Sequence, residues 1–403
     1  MHILVIADGR SPTAHRWVKG AVTLQHRVTL VSTYPCPLMA EAEATHILPV
    51  AFSALGGSQA GGASGRQELP SLQRQLVGRG RGLLQSARYW LGPLTLPFYA
   101  RQLDKIIAET SPDLVHALRI PFEGMLAASA GSNVPLAVTI WGNDLTLHGK
   151  KNPWMRRLTM HTLRRANGLA ADVRRDIRLG RLWGFPVDRP SLVVPGGGGI
   201  DLTEIHRRRQ DLPAAEMPEW LPAGAPLVVN PRGLRPGYVR SDVFFEAIPL
   251  VLQHRPEVIF ACPSMAGQAE ALGWVQRLGI EKSVRLLPYL SQAELWDLFG
   301  RADISVSVSV HDGTPNTLLE AMACGCYPVV GDLESLREWI TPGINGLLVE
   351  PTKPQALAAA ILVGLDKPEL CARAREINLD LIRERAEVGL VRSQIEVFYR
   401  RLV

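Results

Sequence analysis

Short apolar segments alternate with segments of helical periodicity along almost the whole chain. In the first half the apolar segments cover residues 3–7, 28–32, 114–117, 136–140 and 192–195. Each has the length and composition of a buried parallel strand. Helical patterns, for example over residues 100–110 and 154–165, separate them. This alternation predicts an α/β protein built on doubly wound parallel sheets.

The alternation is interrupted once and then resumes. The sequence Pro195-Gly196-Gly197-Gly198-Gly199 is followed by a polar stretch to Pro226, and new apolar segments then cover residues 227–230, 258–261, 284–287, 304–310 and 327–330. A chain of 403 residues has room for two domains. We therefore predict a first Rossmann-like domain over 1–200, a linker over 201–225 and a second Rossmann-like domain over 226–375. The terminal helices, 376–403, are expected to return to the first domain.

The bulk composition favours a cytoplasmic globular protein. No run of 18 apolar residues is present, and the apolar start of the chain ends at Asp8 without a basic leader or cleavage site. The five cysteines are scattered and odd in number, as expected for reduced thiols. Within a net charge of +6, the basic residues are concentrated in residues 1–210. That imbalance indicates an anionic partner for the first half.

The segment 69–103 contains no acidic residue and combines arginine with apolar residues. Apolar positions 83, 84, 87, 90, 91 and 94 follow helical spacing. One interpretation is a basic amphipathic helix on an anionic membrane surface, which would place the protein peripherally at the inner membrane face. The alternative is a helix packed on its own domain with a solvated arginine face. No recognition motif accompanies the aromatic residues of this segment, so nucleic acid is not expected.

Asp312 and Glu320 form the most informative motif, with seven residues between the two carboxylates. The pattern around them predicts a strand, a glycine-containing turn and a helix over 316–324, with Thr314 as the N-cap, Pro315 at the first position and Gly325 as the stop. A helix N-terminus attracts an anion such as a phosphate. Two acids beside an anion site are suited to binding hydroxyl groups, so the motif suggests a sugar nucleotide.

The stretch from Asp312 to Pro351 resembles the donor-binding half of the family 4 retaining glycosyltransferases, through Glu320-Ala321-Met322-Ala323-Cys324-Gly325 and Asn345-Gly346-Leu347-Leu348-Val349. The resemblance is strong in the second half and looser in the first. It implies the GT-B fold, in which two Rossmann-like domains face a central cleft. It also implies retaining transfer from a nucleoside-diphosphate sugar, of UDP or GDP type, to an acceptor hydroxyl, with no metal and no cofactor.

The same resemblance implies roles for single residues of the second half. Asp312 would contact the donor sugar, and Glu320 would hold the ribose. The diphosphate would be bound by Gly313, Thr314, Asn316 and Thr317. Arg232 matches a phosphate-binding arginine of the family. The lysine that commonly follows is absent, so Arg240 is taken as its substitute and Arg235 as the alternative.

The first half departs further from the family pattern. Its first turn is not G-x-G-x-x-G. The resemblance implies that this turn lies near the donor phosphate and the acceptor, so that Arg10 and Ser11 could touch either one, while His15 could do the same or be a residue of the helix face. Trp141 stands where many members have a histidine. The remaining acceptor-side candidates are Glu123, Asn143 and Asp144.

The sequence does not identify the acceptor, although the basic first half favours an anionic or lipid-linked molecule over a neutral soluble one. Two other functions remain open. One is a GT-B enzyme that acts on activated sugars as an epimerase or phosphorylase. The other is a catalytically silent glycan-binding protein.

Overall fold

The computed structural model describes residues 1–54, 88–211 and 218–403. The chain divides into two compact units. The first unit contains Met1–Gly198 together with Arg392–Val403, and the second contains Gly199–Val391. Each unit is built on its own parallel sheet, which confirms the predicted pair of Rossmann-like folds.

The first unit has a seven-stranded sheet in the order β3-β2-β1-β4-β5-β6-β7. Its strands are β1 (His2–Ala7), β2 (Arg27–Ser32), β3 (Ala44–Ile47), β4 (Leu114–Ala117), β5 (Leu136–Ile140), β6 (Gly168–Ala171) and β7 (Ser191–Val193). Its helices up to Gly198 are α1 (Pro12–Thr23), α2 (Leu96–Thr110), α3 (Met125–Ser129), α4 (Pro153–Arg165) and α5 (Arg174–Leu182). The apolar strands β1, β4 and β5 are fully buried, because helices cover a parallel sheet.

The second unit has a six-stranded sheet in the order β10-β9-β8-β11-β12-β13. Its strands are β8 (Leu227–Val229), β9 (Ile259–Cys262), β10 (Val284–Leu286), β11 (Ile304–Ser307), β12 (Tyr327–Gly331) and β13 (Leu347–Val349). Its helices are α6 (Leu202–Asp211), α7 (Ser241–Leu252), α8 (Ala269–Leu278), α9 (Gln292–Arg301), α10 (Asn316–Cys324), α11 (Pro354–Asp366) and α12 (Pro368–Arg385).

Three predictions about the elements need correction. The strands β3, β6 and β13 were not predicted, because β3 is half-exposed and β6, Gly-Leu-Ala-Ala, has little β-propensity of its own. The predicted strand over 304–310 ends at Ser307, and Ser309 makes only an isolated bridge to Val239. The helix at 100–110 begins earlier, at Leu96, with Pro97 in its first turn.

Both sheets reverse their strand order at one position. In the first sheet the reversal lies between β1 and β4, and in the second it lies between β8 and β11. Loops that leave the carboxyl ends of two such strands diverge to opposite faces of the sheet and leave a crevice, where open α/β sheets bind their ligands. The fold therefore directs attention to the loops after β1, β4, β8 and β11.

The last helix, α13 (Val388–Arg400), is divided between the units at Arg392. Its later part packs on the first unit through one buried and one partly buried contact. The hydroxyl of Tyr399 lies 2.7 Å from Nδ1 of His116, and Glu396 lies 2.6 Å from Nε2 of His26. Burial lowers the pKa of His116 to about 3, so this histidine is a neutral hydrogen-bonding residue of the core.

Helices long and apolar enough to span a bilayer are not found among residues 1–54, 88–211 and 218–403. The predicted amphipathic segment 69–103 is described only from Arg88 onward, so its residues 69–87 lie outside the described part. Residues 88–91 are helical, and a 3-10 turn over Gly92–Thr95 connects them to α2.

Candidate functional site

The loop after β11 carries Asp312 to the reversal point of the second sheet. The Asp312 carboxylate lies 2.6 Å from a terminal guanidinium nitrogen of Arg232, which follows the neighbouring strand β8. The hydroxyl of Ser309 donates to the same carboxylate oxygen at 3.1 Å. From the loop after β12, the hydroxyl of Ser335 donates to the carbonyl oxygen of Asp312 at 2.8 Å. Three adjacent strand ends thus fix this aspartate.

Arg232 is a buried cation with unused hydrogen-bonding capacity. It is 8% exposed, and its Nε is buried with no partner in the described part of the chain. Its backbone N–H donates to the side chain of Asn230 at 3.2 Å, which orders the loop. A guanidinium with one edge on a carboxylate can still offer another edge to a phosphate, because the group presents five donors in one plane.

The helix α10 begins just after Asp312 and ends as predicted at Cys324, with Gly325 in the left-handed region at φ 92°. The predicted N-cap is wrong. Pro315 occupies that position and no side chain caps the helix. The Thr314 hydroxyl accepts a hydrogen bond from Nε1 of Trp339 at 2.8 Å. Because a proline N-cap has no side-chain acceptor, the first N–H groups of the helix remain available to an anion.

The other candidates for diphosphate binding surround this helix start. Gly313 is buried, and Asn316 and Thr317 are half-buried in the first turn. The hydroxyl oxygen of Thr317 is buried without a hydrogen-bond partner among the described residues. The motif therefore places both backbone and side-chain donors at one end of α10.

Glu320 lies one turn further along α10 and is 2% exposed. Its Oε1 accepts a hydrogen bond from the amide of Gln292 at 2.9 Å. Gln292 is the first residue of α9, after the N-cap Ser291. Sequence reasoning missed Gln292, because nothing local relates it to a glutamate 28 positions away.

The two arginines considered for the missing lysine differ in their contacts. Arg240 makes a bidentate ion pair with Asp242, with a closest distance of 2.6 Å. Arg235 instead donates to the carbonyl oxygen of Arg232 at 3.1 Å, and the charge of Asp312 acts on it. Arg235 is therefore the cation that the loop brings beside Arg232 and Asp312.

In the first unit, the polar side chains of the loop after β1 and of the start of α1 make hydrogen bonds within this same segment. Arg10 makes two hydrogen bonds of 2.9 Å to Asp8, Ser11 is the N-cap of α1, and a ring nitrogen of His15 lies 3.0 Å from the carbonyl oxygen of Gly9. A Cβ at Gly9 would lie 2.5 Å from the sulfur of Cys36 and 2.9 Å from Oγ of Ser32, so a larger residue there would require these side chains to move.

The loops after β4 and β5 are joined by Asp144, which is fully buried. One carboxylate oxygen accepts from Arg119 at 2.8 Å, and the other accepts from the backbone N–H groups of Ile120 and Trp141 at 3.0 and 3.2 Å. The carbonyl oxygen of Asn143 starts the next turn by accepting from Leu147 at 3.0 Å. Asp144 therefore braces two loops.

Glu123 lies in the turn between β4 and α3 and is 4% exposed. Its Oε1 accepts from the hydroxyl of Thr33 at 3.0 Å. Burial raises the pKa of Glu123 to about 7, although the positive charges of Arg119 and Arg88 oppose the rise. This carboxyl therefore changes its charge near neutral pH.

Metal ligation is not indicated by the clustering of side chains. No group of three His, Cys, Asp or Glu residues that could hold a metal ion occurs in the described part of the chain.

Both units carry candidate residues in the loops beside the reversal point of their sheet, where open α/β sheets bind ligands. Models of two glycosyltransferase families match this chain. "Glycosyl transferases group 1" matches residues 227–367 and "Glycosyl transferase 4-like" matches residues 87–172. In both matched segments the chain is therefore similar to glycosyltransferases.

Curated relatives carry a common name. A D-inositol 3-phosphate glycosyltransferase of Thermobispora bispora is 29% identical over 218 residues, covering 52% of this chain and 49% of the relative. A protein of the same name from Thermomonospora curvata is 27% identical over 294 residues, covering 69% and 61%. In the first of these matches, the chain spans about half the length of its relative.

Solved structures share the fold over nearly full length. HepE of Anabaena, determined in complex with UDP and glucose, has a TM-score of 0.68 at 17% identity and covers 98% of each chain. Sucrose-phosphate synthase of Thermosynechococcus elongatus has a TM-score of 0.73 at 16% identity, covering 100% of this chain and 99% of the other.

Proposed function

We propose that the protein is a retaining glycosyltransferase, which transfers a sugar from a nucleoside diphosphate to an acceptor hydroxyl. The observation that carries the proposal is the 2.6 Å contact between Arg232 and Asp312 beside the open N-terminus of α10. A buried cation, free helix N–H groups and a carboxylate are thereby gathered at one end of a sheet. The cation and the N–H groups can bind a diphosphate, and the carboxylate can accept hydrogen bonds from the hydroxyls of a sugar.

Negative charge grows on the leaving diphosphate as its bond to the sugar breaks. Arg232 and the N-terminus of α10 are placed to stabilise that charge, which lowers the barrier. Arg235 is the better-supported second cation, because it contacts the Arg232 loop while Arg240 is engaged with Asp242. No protein nucleophile or metal ion is required in this scheme.

The two carboxylates have separate roles in the proposal. Asp312, freed from part of its contact with Arg232 when the diphosphate binds that cation, accepts hydrogen bonds from the donor sugar. Glu320, oriented by Gln292, accepts from the ribose hydroxyls. A buried carboxylate that receives hydrogen bonds from a diol discriminates strongly against analogues lacking the hydroxyls.

UDP-sugars are the first donors to test, since HepE was crystallised with UDP and glucose. Release of nucleotide would be measured with UDP-glucose, UDP-N-acetylglucosamine, GDP-mannose and ADP-glucose, with inositol 3-phosphate as the first acceptor because of the relatives' name. Product with the donor's anomeric configuration supports a retaining transferase. Interconversion of donors supports an epimerase instead, and neither reaction supports the silent glycan-binding protein.

An anionic membrane surface is proposed as a second partner. Four apolar side chains at the start of α2 and just before it are about half exposed or more: Trp90, Leu91, Leu94 and Phe98. The exposed Arg101 and Lys105 continue the face of Leu94 and Phe98 along the helix. Apolar residues that enter the interface next to cations that contact anionic head groups make a peripheral binding surface, and the proposed location is the cytoplasmic membrane face.

Cosedimentation tests this surface. The parent protein is expected to bind phosphatidylserine vesicles at low salt and to dissociate at high salt. Leu94→Glu with Phe98→Glu should abolish binding, while Leu38→Glu, at another exposed leucine of the same unit, should retain it. Equal binding by both variants, or no binding by the parent, would remove the membrane from the proposal.

A further inference from the structure

Three arginines converge on aromatic side chains at the reversal point of the first sheet. The guanidinium carbon of Arg10 lies 3.8 Å from the ring centre of Tyr34, and that of Arg88 lies 4.9 Å from the same ring. Arg88 also lies 4.8 Å from the ring centre of Phe122. Two guanidinium groups thus lie against one tyrosine ring. A negative charge nearby is needed to offset the repulsion between them.

The third cation extends the group across the reversal point. Arg119 follows β4, whereas Arg10 follows β1, and β1 and β4 are the neighbouring strands between which the order reverses. The guanidinium carbon of Arg119 lies 5.1 Å from the ring centre of Trp141. A guanidinium held over an aromatic ring by cation–π attraction can still donate hydrogen bonds from its edges.

The carboxylates of this region do not neutralise all three cations. Arg10 is paired with Asp8, and Arg119 is paired with Asp144. Among the described residues, Arg88 has no carboxylate in contact, and it donates to the hydroxyl of Tyr34.

Unused donors occur on two of these arginines and on Trp141. Nε of Arg88, Nε of Arg119 and Nε1 of Trp141 are all buried, and none has a hydrogen-bond partner in the described part of the chain. Buried donors are normally satisfied, because an unpaired one does not recover the free energy lost when it leaves water. An oxyanion is the ligand that satisfies several N–H donors at once.

We propose that Arg10, Arg88 and Arg119 form an oxyanion subsite that binds a phosphate or carboxylate group of the acceptor. The site itself stands on its own geometry, and only its assignment to the acceptor rests on the proposed glycosyl transfer. Glu123 is a positioning residue of this subsite, facing Thr33, Arg119 and Arg88. While its carboxyl is protonated, it does not compete with the bound anion for these cations.

Isothermal titration of the full chain with inorganic phosphate and with acetate tests the subsite. Arg88→Met is expected to weaken phosphate binding at least tenfold, and Arg88→Lys, which keeps the charge but not the planar group, should lose less. Arg157→Met, at an exposed arginine of α4, is the matched control and should bind like the parent. Undetectable phosphate and acetate binding by the parent, or unchanged binding by Arg88→Met and Arg119→Met, overturns the subsite.

The two anions separate the two chemical sources. Tighter binding of phosphate assigns a phosphorylated acceptor, and tighter binding of acetate assigns a carboxylated one. Sulfate, whose charge is constant through the neutral range, should bind more weakly as the pH rises through about 7 in the parent. Glu123→Gln should remove that pH dependence, and an unchanged dependence would remove Glu123 from the subsite.

Nucleotide release from the donor in water, measured on the same proteins, separates this proposal from the glycosyl transfer. Loss of phosphate binding in Arg88→Met with unchanged nucleotide release supports a subsite for the acceptor. A parent that binds phosphate but releases nucleotide from no donor refutes the glycosyl transfer and leaves the oxyanion subsite standing.

Discussion

Replacing the buried carboxyl of Glu123 by an amide should change how the stability of the first unit depends on pH. The side chain is 4% exposed, and burial raises its pKa from an ordinary value of 4.5 to about 7. Glu123→Gln keeps the shape of the side chain and an oxygen to accept from Thr33. It removes only the ability to ionise.

The direction in which stability changes with pH follows from the number of protons bound by the folded and by the unfolded chain. Below pH about 4.5 the carboxyl is protonated in both the folded and the unfolded chain, so the parent has its full stability. Between about 4.5 and 7 the unfolded chain releases this proton while the folded chain keeps it, and unfolding becomes more favourable as the pH rises. The difference between the two pKa values corresponds to a loss of roughly 3 kcal/mol in the free energy of unfolding of the parent at higher pH.

Urea unfolding of the parent and of Glu123→Gln at several pH values measures this difference. Hydrogen exchange of the β1 and β4 amides would assign the transition to the first unit, since the two units need not unfold together. Relative to the parent, the free energy of unfolding of the variant should rise by roughly 3 kcal/mol between pH about 4.5 and about 8. Glu109→Gln, at an exposed glutamate of α2, should show no such gain.

A constant difference between parent and Glu123→Gln over this pH range would refute the reasoning. It would mean that Arg119 and Arg88 keep Glu123 ionised in the folded protein despite its burial. The net charge of the proposed oxyanion subsite would then be lower by one at neutral pH, because Glu123 would be negatively charged.

Further predictions concern the second unit. Arg232→Met should reduce nucleotide release by roughly 10²-fold, since it removes the cation beside the leaving group, while Arg255→Met, at an arginine paired on the surface, should not change it. Glu320→Ala should weaken binding of the nucleotide sugar in titration calorimetry, and Gln292→Ala should do so by about tenfold, because it removes one hydrogen bond to that carboxylate. Gly325→Ala should lower the free energy of unfolding by about 1–2 kcal/mol in urea titrations, because its φ of 92° disfavours a Cβ.

Much of the fold was predictable because it depends on short-range patterns. The strands β4 and β5 and the helix α10 have the bounds that their apolar periodicity and the stop at Gly325 indicate. The N-cap was not predictable from residue preferences. Thr314 is a good capping residue in isolation, but Trp339 takes its hydroxyl and Pro315 takes the cap position.

The candidate site was predictable where its chemistry is local and not where it depends on distant partners. Asp312 and Glu320 could be found from one helix and its preceding turn. The sequence took Arg240 as the substitute for the lysine and Arg235 as the alternative, and it could not show that Asp242 engages Arg240 while the carbonyl oxygen of Arg232 accepts from Arg235. Similarly, the sequence could not show that Asp144 accepts hydrogen bonds from Arg119 and from two backbone N–H groups, because these partners come from separate loops.

The sequence by itself determined two parallel α/β units, because strand and helix periodicity are properties of neighbouring residues. It also determined the acid pair around a helix start that suggests a sugar nucleotide, whereas the structure decided that no side chain caps this helix. Only the tertiary structure decided that Arg88 and Arg10 share the ring of Tyr34 and that Glu123 is buried beside Arg119. Those contacts join residues far apart in the chain, so their burial and charge arise only when the strand ends meet.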